Sequence, residues 1–416
     1  MKSHKALFIG ILITFLILTV AIAVYWYVLR SPQLILSTSP ANATVTVDGN
    51  AFTSSNNTLS VGEHRLSASA GGFVTYDKTF SLKRAESLRL NILLKAVPSP
   101  VTLSANVENY PSFVKGGEVF FLGNGGRTLY RSRADAGLTT LRVEPMTPDT
   151  LSDVQKVIWR PDAEVAFLKR SDGVYLYDFM RYDLLHQTNT LWGTDIGDIA
   201  WNPNGAQVVY TYYGAGGEQS LKLSDVQNKV TSVVANLAKD NIDRPTITWS
   251  PDGQSILLKP NSDQKKTNYL YVYDVFSKKI TQLTSLGEVE GAKWSPDSLS
   301  ILYTAPGQNA QGNTGFALWL AKADGLSVKP LNVIVDGILS ATWTNDGQGI
   351  VAASPSAGAS DQILEVDTSG QIAPYLWDNS LLLHPRHLIT VIGDERVLFF
   401  NNGQFMSLAL VSEQYR

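Results

Sequence analysis

The chain has 416 residues, of which 44% are hydrophobic and 17% are charged, a composition typical of a folded protein and not of a disordered one. Its net charge of −3 at pH 7 argues against nucleic acid as a partner, because binding to phosphates needs a basic surplus. The absence of cysteine excludes disulfides, thiolate metal sites and a cysteine nucleophile.

The N-terminal segment predicts a membrane anchor. Residues 6–29 form a run of 24 residues without a charge, and as a helix this run would reach roughly 36 Å, enough for a hydrocarbon core of about 30 Å. Two lysines precede the run and three aromatic residues lie near its end: Lys2, Lys5, Tyr25, Trp26 and Tyr27. We expect residues 1–5 in the cytoplasm, a single transmembrane helix at 6–29 and the remainder outside the cytoplasm. A cleavable signal peptide ending near Ala23 is the alternative.

Residues 33–96 contain short segments of alternating apolar and polar residues, which predict a small β-sandwich. Their order resembles a PEGA domain through Ser39-Pro40, the hairpin dipeptide Asp48-Gly49, the segment Val61 to His64, and Gly72-Phe73. The Pro-Glu-Gly-Ala tetrapeptide itself is absent. The resemblance implies an extracytoplasmic spacer or a surface-layer interaction module, and a generic immunoglobulin-like stalk is the alternative.

Five tryptophans recur along the rest of the chain, each followed by a turn and a strand: Trp159, Trp201, Trp249, Trp294 and Trp343. The residues after each tryptophan approximate Ser/Asn, Pro, Asp/Asn and Gly, the order that a type I turn prefers. A third strand in each repeat ends in an acid: Asp178, Asp225, Asp274, Asp324 and Asp367. Degenerate copies start at Phe113 and Val391, so that successive repeats lie 42 to 49 residues apart. Four strands in each of seven repeats predict a seven-bladed β-propeller, with six or eight blades as alternatives.

The last repeat ends after three strands, whereas residues 101–106 precede the first repeat and belong to none. We predict that this segment supplies the outer strand of the last blade and joins the two ends of the domain. The tryptophan and turn signature resembles the TolB-like propeller family over residues 101–416, although Trp343 has no proline in its turn. The resemblance implies a protein-binding disc outside the cytoplasm or an accessory domain of a peptidase. The predicted fold class is therefore all-β: a seven-bladed propeller preceded by a small β-sandwich and one N-terminal transmembrane helix.

No sequence motif of a catalytic nucleophile, a phosphate-binding loop or a zinc hydrolase is found, so we expect no catalytic residue, no cofactor and no metal. The repeated tryptophans are expected to fill the gaps between blades, and the repeated aspartates to cap backbone N–H groups and not to bind calcium. His384 and His387 form the one histidine cluster. A metal site there would need further converging ligands, and a solvated loop or a contact at the ring closure is the favoured interpretation.

Binding is expected on the face that carries the loops between second and third strands and the connections between blades. The longest of these loops are predicted at residues 260–267 and 306–315. The candidate binding residues are Trp192, Asp195, Asp240, Arg244, Lys265, Glu288, Glu290, Asp336, Arg386 and His387. Acids also recur just before the inner strands, where they could rim a channel and attract a cationic group: Asp198, Asp243, Glu290 and Asp336. Ordinary solvated turn residues are the favoured interpretation of these acids.

The expected function is noncovalent: a membrane-anchored extracytoplasmic scaffold that docks a protein or an envelope polysaccharide on the loop face. The alternative is a propeller-type polysaccharide lyase or hydrolase acting in the central channel. That enzyme would need His384 and His387 to face the channel beside carboxylates. A purely structural spacer is a third hypothesis, which uniformly polar loop faces would favour.

Overall fold

A computed structural model describes residues 2–29, 31–53, 58–105, 113–115, 118–134, 141–148, 151–152, 154–171, 177–263, 268–285, 287–309, 311–356, 360–375, 377, 382–392 and 396–411. The chain divides into two compact units, unit 1 up to Val97 and unit 2 from Pro98 to Val411.

Unit 1 begins with helix α1, Lys2–Leu29, which contains the predicted transmembrane segment 6–29. No helix in the described part of the chain is both long and apolar enough to cross a membrane. Six strands follow: β1 Gln33–Ser39, β2 Thr44–Val47, β3 Asn50–Ala51, β4 Gly62–Ser69, β5 Tyr76–Leu82 and β6 Ser87–Leu93. Strands β1 and β6 pair in parallel, whereas the other four form a second sheet in the order β3-β2-β4-β5.

The two sheets of unit 1 share one apolar core. Leu34 of β1 and Ile92 of β6 are buried in the same cluster as Val47 and Leu66 of the larger sheet. Two sheets with a common apolar interior are the arrangement of a small sandwich. The Asp48-Gly49 hairpin also forms as predicted, with φ of 52° and 79°, the positive values that such a tight turn needs.

His64 of the adjacent strand β4 connects this hairpin to the segment that precedes β4. Its side chain is 5% exposed, and its Nδ1 lies 2.6 Å from Asp48 Oδ2 while its Nε2 lies 3.0 Å from the Ser60 carbonyl oxygen. Both partners are acceptors, and a neutral imidazole has only one N–H to donate. The hydrogen bond with Asp48 accordingly raises the pKa of His64 above 6.5, and the charged form completes both contacts.

We expect the stability of unit 1 to fall as pH rises from 6.5, the ordinary value, through the raised pKa of folded His64. Below this pH window His64 is protonated in both the folded and the unfolded state, and its stabilising contribution is fully present. Above the window folded His64 is neutral and has only one N–H for its two acceptors. NMR-detected urea unfolding of the full chain, following the β4 amides above about pH 5, measures this dependence. In the control variant Asp48→Asn the pKa of His64 should drop and the dependence should flatten. An identical pH profile in the variant would contradict the assignment.

Unit 2 consists almost entirely of strands. Their bounds are β7 Val101–Ala105, β8 Phe113–Lys115, β9 Glu118–Gly123, β10 Thr128–Ala134, β11 Leu141–Pro145, β12 Val154–Trp159, β13 Val165–Ser171, β14 Tyr177–Asp183, β15 Thr188–Trp201, β16 Gln207–Tyr213, β17 Gln219–Asp225, β18 Thr231–Asn236, β19 Thr246–Trp249 and β20 Ser255–Lys259. The remaining strands are β21 Tyr271–Asp274, β22 Ile280–Gln282, β23 Gly291–Trp294, β24 Ser300–Gln308, β25 Thr314–Lys322, β26 Val328–Val335, β27 Ala341–Trp343, β28 Gly349–Ser354, β29 Gln362–Asp367, β30 Ile372–Pro374, β31 His387–Ile392, β32 Arg396–Asn401 and β33 Gln404–Ala409. Short 3-10 turns lie at Ala215–Gly217 and Ile338–Ser340.

Within the described residues these strands form six antiparallel sheets. Four sheets contain consecutive strands in fours, β8 to β11, β19 to β22, β23 to β26 and β27 to β30. A fifth sheet has seven strands, β12 to β18, because the long strand β15 pairs with β14 through its first half and with β16 through its second. None of the described sheets closes on itself, and the number of blades stays a prediction.

The sixth sheet joins the two ends of unit 2. Its order is β31-β32-β33-β7, so that Val101–Ala105 pairs antiparallel with β33 as the outermost strand. The predicted use of residues 101–106 as the missing strand of the last repeat is confirmed for the described part of that segment. The pairing brings residues some 300 positions apart into one hydrogen-bonded ladder and covers an edge of β33 that would otherwise be open.

Three of the five repeated tryptophans are hydrogen-bonded to the repeat before their own. Trp201 Nε1 donates to the Ile158 carbonyl at 3.1 Å, and Trp249 Nε1 donates to the Ala200 carbonyl at 3.2 Å. Trp294 Nε1 donates in the same way to the Thr248 carbonyl at 3.4 Å. Each acceptor is the residue just before the tryptophan of the preceding repeat. Trp249 also lies in one core cluster with Ala200 and other residues of that repeat, which confirms that these side chains pack between repeats.

The polar residue of each tryptophan turn caps its own backbone. In all five turns the side chain accepts a hydrogen bond from the N–H two residues further on: Asp162, Asn204, Asp252, Asp297 and Asp346. Hydrogen bonds from the Thr344 hydroxyl and the Gln348 N–H lower the pKa of Asp346. The predicted role as backbone caps is therefore confirmed.

The acids that end the third strands cap the next turn in the same manner, with one correction to their positions. Asp225, Asp274 and Asp367 accept N–H groups of the following turn, as the sequence suggested. In the second repeat, however, the strand does not end at Asp178. Strand β14 continues to Asp183, which lies opposite Val165 at the start of β13 and accepts the His186 N–H. Pairing with β13 decides where this strand ends.

We expect Trp249→Phe to destabilise unit 2 more than Trp343→Phe, by about 1 kcal/mol. Both indoles are buried, but Trp249 Nε1 donates to Ala200 whereas Trp343 Nε1 has no hydrogen-bond partner among the described residues. Both substitutions remove a similar volume, so the lost hydrogen bond is the main difference between them. Urea midpoints of the two variants measure it. Equal midpoints would show that the inter-repeat hydrogen bond contributes nothing to stability.

Candidate functional site

The sheets of unit 2 have two chemically different ends. At the turn end, the first strand connects to the second and the third to the fourth, because Asp183, Asp225 and Asp274 lie opposite Val165, Gln207 and Ser255. The acids at that end are engaged by their own turns. At the loop end, second strands connect to third strands and each repeat connects to the next. The candidate site lies at the loop end.

We name as the central cluster six polar residues that act on one another by charge or ion pairing and that lie in β20, β23, β31 and the connections before β23, β27 and β31: Lys259, Glu290, Lys293, Asp336, Arg386 and His387. Glu290 Oε2 accepts the Thr304 hydroxyl at 2.7 Å and the Ile338 N–H of the next repeat at 3.0 Å. A Cβ on Gly337 would lie 3.2 Å from the same oxygen, so the close approach needs a residue without a side chain. Glu290 is therefore held against the segment that contains Asp336.

Lys293 and His387 lie close enough to influence each other. Lys293 Nζ donates to the Ala341 carbonyl at 2.6 Å, and burial lowers the pKa of Lys293 to about 8, against the opposing effect of Glu290. Burial, and then the charge of Lys293, lower the pKa of His387 to about 4. His387 is consequently neutral near pH 7, while Lys293 is mostly charged.

Asp336 and Arg386 complete the central cluster through an ion pair between their side chains. Both side chains are more than a third exposed, which places the pair at the solvent-facing side of the cluster. The structure thus brings together Glu290, Asp336, Arg386 and His387, four of the ten candidate binding residues.

Asp198 forms a second polar group two repeats away. It is 2% exposed, accepts the Ile247 N–H of the next repeat at 3.1 Å and lies 3.3 Å from Lys156 Nζ. Burial lowers the pKa of nearby Lys169, and Asp198 opposes this shift. Asp198 and Glu290 therefore bind backbone N–H groups of neighbouring repeats, and these two acids do not form the predicted rim for a cationic group.

The other candidate residues do not join the central cluster. Trp192 and Asp195 lie in strand β15, which itself connects one repeat to the next, and Asp195 has a φ of 60° at the point where β15 changes its partner strand. Trp192 packs edge-on against Phe167, with ring centroids 5.3 Å apart. Three residues are exposed in loop-end segments: Asp240, Arg244 and Glu288. Lys265 lies outside the described residues.

One of the two predicted long loops is shorter than expected, and the other is only partly described. Residues 306–308 and 314–315 are strand, because the pairs Pro306–Phe316 and Gln308–Thr314 extend the β24–β25 hairpin beyond the predicted start of the loop. Asn309 closes the hairpin by accepting the Gln311 and Asn313 N–H groups. Of the predicted loop 260–267, residues 264–267 lie outside the described residues.

Sequence reasoning missed four lysines of the two polar groups: Lys156, Lys169, Lys259 and Lys293. Lys156 and Lys293 stand inside short strands that end in a buried or half-buried tryptophan. A lysine in a strand that ends in an inter-repeat tryptophan lies in a largely apolar segment, where charged residues are uncommon. This unusual position is the sequence signal that could have identified these lysines.

His384 connects its loop to two other segments by hydrogen bonds. Its Nδ1 lies 3.0 Å from Asp361 Oδ1, and its backbone N–H donates to Asn401 Oδ1 at 2.7 Å. Asp361 is 6% exposed and belongs to the neighbouring repeat. Among the described residues, no three His, Asp or Glu side chains are arranged to hold a metal ion.

Comparison of the sequence with known families identifies one domain. Residues 31–98 match the PEGA domain family, in agreement with the resemblance inferred from the sequence. No curated protein sequence matches the chain significantly.

Comparison with solved structures identifies similar folds. An oligogalacturonate lyase in complex with manganese aligns with a TM-score of 0.51 at 13% identity, over 76% of this chain and 90% of the lyase. The tricorn protease aligns with a TM-score of 0.45 at 13% identity, over 85% of this chain and 38% of its own. TolB from Acinetobacter baumannii aligns with a TM-score of 0.37 at 15% identity, over 70% of this chain and 78% of its own. At these identities the likeness to the lyase concerns the fold alone.

We expect Lys293→Met to raise the pKa of His387 from about 4, because the substitution removes a neighbouring positive charge. The pKa should stay below 6.5, since burial, the larger cause, remains. An NMR titration of the His387 imidazole measures the shift. Lys259→Met is the matched control, because Lys259 is a half-buried lysine that does not act on His387. An unchanged pKa of His387 in Lys293→Met would show that the charge of Lys293 does not act on the imidazole.

Proposed function

We propose that this protein is a membrane-anchored binding and scaffold protein outside the cytoplasm, and that it docks a protein or an envelope polymer at the loop end of unit 2. The observation that carries the proposal is the contrast between the two ends of the sheets. Turn-end acids are engaged by their own backbone, whereas the loop end collects charged side chains from several repeats in the central cluster. Loops on a rigid scaffold are where binding surfaces concentrate.

We further propose that unit 2 is a seven-bladed propeller. If the two halves of β15 are counted in separate blades, the six sheets supply seven groups of four strands. The pairing of β7 with β33 would then close the ring, as such domains need to avoid open edges. In this arrangement seven inner strands would line the centre, namely β8, β12, the second half of β15, β19, β23, β27 and β31, and the central cluster would lie at one mouth of it.

The membrane location rests on the sequence, namely the 24 uncharged residues at 6–29 with basic residues before them. In α1 the apolar side chains between Leu12 and Tyr25 are exposed. A continuous apolar surface of this kind is unfavourable in water. Protease access to a C-terminal tag in intact cells tests this location. A tag that becomes accessible only after lysis would contradict it.

A second candidate function is a polysaccharide lyase or hydrolase. It is favoured by the likeness of fold to the oligogalacturonate lyase and by the pair of His384 with buried Asp361, an arrangement that can orient a general base. Against it, burial and the charge of Lys293 lower the pKa of His387 to about 4, whereas His384 is paired with Asp361, so the two histidines have different environments. The binding function therefore has the better support.

We expect Arg386→Ala to reduce recovery of the partner in a pull-down of the full chain from solubilised membranes. Loss of Arg386 leaves Asp336 without its ion-pair partner and changes the charge of the central cluster. The matched control is Lys279→Ala, an exposed turn-end lysine that should leave recovery unchanged. Equal recovery from both variants would contradict a loop-end site. Cleavage of oligogalacturonate by the native chain, absent in His384→Ala, would favour the enzyme instead.

A further inference from the structure

Exposed apolar side chains recur at the turn end of unit 2, in the turn that joins the third strand of a repeat to the fourth, which we call the outer turn. Four consecutive repeats carry such a side chain: Leu185, Val230, Phe276 and Leu326. Phe276 is 96% exposed and Leu326 is 86% exposed. The one other outer turn that the structure describes, residues 368–371, is polar. A single exposed leucine needs no explanation, but four at equivalent turns form a pattern.

Each of these outer turns is hydrogen-bonded to the tryptophan turn of its own repeat. In every case a backbone N–H of the outer turn donates to a carbonyl of the tryptophan turn: Leu184 to Glu164, Val226 to Ala206, Val275 to Gln254 and Ala323 to Leu299. Leu299 is itself exposed and adds a fifth apolar side chain to this end. We name these five side chains the apolar tips: Leu185, Val230, Phe276, Leu299 and Leu326.

The tryptophan turns of the four repeats touch one another in succession. Three short distances join consecutive turns: 3.2 Å from a Cβ placed on Gly205 to Arg160 Cγ, 3.3 Å from a Cβ placed on Gly253 to Asn202 Nδ2, and 3.0 Å from the Asp252 nitrogen to Ser298 Oγ. Because each outer turn is bonded to its tryptophan turn, the apolar tips belong to one continuous end of four neighbouring repeats.

The outer turns that carry Phe276 and Leu326 also adjoin directly. A Cβ placed on Gly325 would lie 3.5 Å from the Gln282 carbonyl oxygen. Gln282 ends β22, the strand that follows the outer turn with Phe276. The two most exposed apolar side chains among the described residues of unit 2 are therefore carried by segments in contact.

Lysines accompany the apolar tips at an equivalent turn position. Lys229 and Lys278 each lie four residues after the acid that caps the outer turn, with φ of 52° and 58°. Both residues are exposed, and neither forms a salt bridge within the described part of the chain, although Lys229 Nζ lies 5.9 Å from the centre of the Trp192 ring. The capping carboxylates of Asp225 and Asp274 accept N–H groups of the same turns. The turn end therefore presents apolar and cationic side chains next to each other.

We propose that the apolar tips dock on the surface of an anionic lipid bilayer, the same bilayer in which the chain is proposed to be anchored. The inference rests on that proposed membrane location and gives unit 2 its own contact with the membrane, at the end opposite to the loop end.

The exposure of the tips and the charge beside them favour lipid as the occupant. A side chain as exposed as Phe276 contacts almost nothing of its own chain, and a protein partner would need a matching pocket for it, whereas a fluid bilayer accepts it without one. Lys229 and Lys278 complement the negative charge of anionic headgroups, and their long stems let the ammonium groups stay at headgroup depth. A chain anchored in the bilayer also meets its surface at high effective concentration.

The test uses single fluorescent labels, which the absence of cysteine from the chain allows. The full chain with Ser327→Cys, next to Leu326, carries an environment-sensitive fluorophore and is reconstituted in nanodiscs of phosphatidylcholine and phosphatidylglycerol. We expect brominated lipids to quench this label. A label on Gln311→Cys, in the β24–β25 hairpin at the loop end, should be quenched by aqueous iodide instead. Nanodiscs without phosphatidylglycerol should give weaker lipid quenching, because the lysines lose their anionic partners.

Substitution of a tip should release the label from lipid. Phe276→Ser in the Ser327→Cys chain should lower the ratio of lipid-inserted to free tips about tenfold, because burial of a large apolar side chain contributes at least that factor. The matched control is Leu382→Ser, which replaces an exposed leucine at the loop end and should leave the lipid quenching unchanged. Circular dichroism establishes that each variant is folded, and Leu326→Ser provides a second tip variant if Phe276→Ser is not.

Equal lipid quenching with and without the tip substitution would overturn the inference. A Ser327→Cys label that iodide reaches and brominated lipid does not would also overturn it, while the proposed anchor would stand because the chain is in the nanodisc. A label that neither quencher reaches would indicate a protein partner or a second copy of the chain, against lipid.

Failure of the chain to enter nanodiscs would contradict the proposed anchor and not this inference. Cosedimentation with anionic vesicles then decides the matter. Vesicle binding that falls in Phe276→Ser and persists in Leu382→Ser would support a lipid contact of the apolar tips, and absence of vesicle binding would overturn it.

Discussion

The packing of the repeated tryptophans between repeats, reinforced in three of the five by an indole hydrogen bond to the preceding repeat, is the constraint on which unit 2 depends. A four-stranded sheet with two apolar faces cannot bury them alone, and the large indole ring supplies much of the surface that neighbouring repeats share. A buried indole N–H also needs an acceptor, and Trp201, Trp249 and Trp294 find it in a backbone carbonyl of the repeat before. Packing and hydrogen bonding therefore demand the same position for each repeat relative to its neighbour.

Acidic side chains add links in the opposite direction. Asp198 and Glu290 reach forward to backbone N–H groups of the following repeat, where the donors would otherwise be unsatisfied. Asp198 also accepts a hydrogen bond from Lys156 Nζ at 3.3 Å, so this carboxylate joins a lysine of the preceding repeat to the backbone of the following one. The distribution of charge that a ligand would meet thus follows from how the repeats are joined.

Local features of the fold could be predicted from the sequence, and features that depend on pairing could not. The tryptophan turns and the hairpin at Asp48-Gly49 are set by interactions within a few residues, such as Asp252 capping the Gln254 N–H. By contrast, β15 joins two repeats into one seven-stranded sheet, and β24 continues into the expected loop as far as Gln308. Both outcomes depend on which strand lies alongside, and a single segment does not contain that information.

The sequence by itself determined the repeat, its turn chemistry, the small domain at 31–98 and the segment near residue 101 that completes the last sheet. These follow from periodicity and short-range hydrogen bonding. Only the tertiary structure decided which charges remain available at the loop end. The reason is that a carboxylate such as Glu290 or a lysine such as Lys293 acquires its role from a partner about 50 residues away, in a neighbouring repeat.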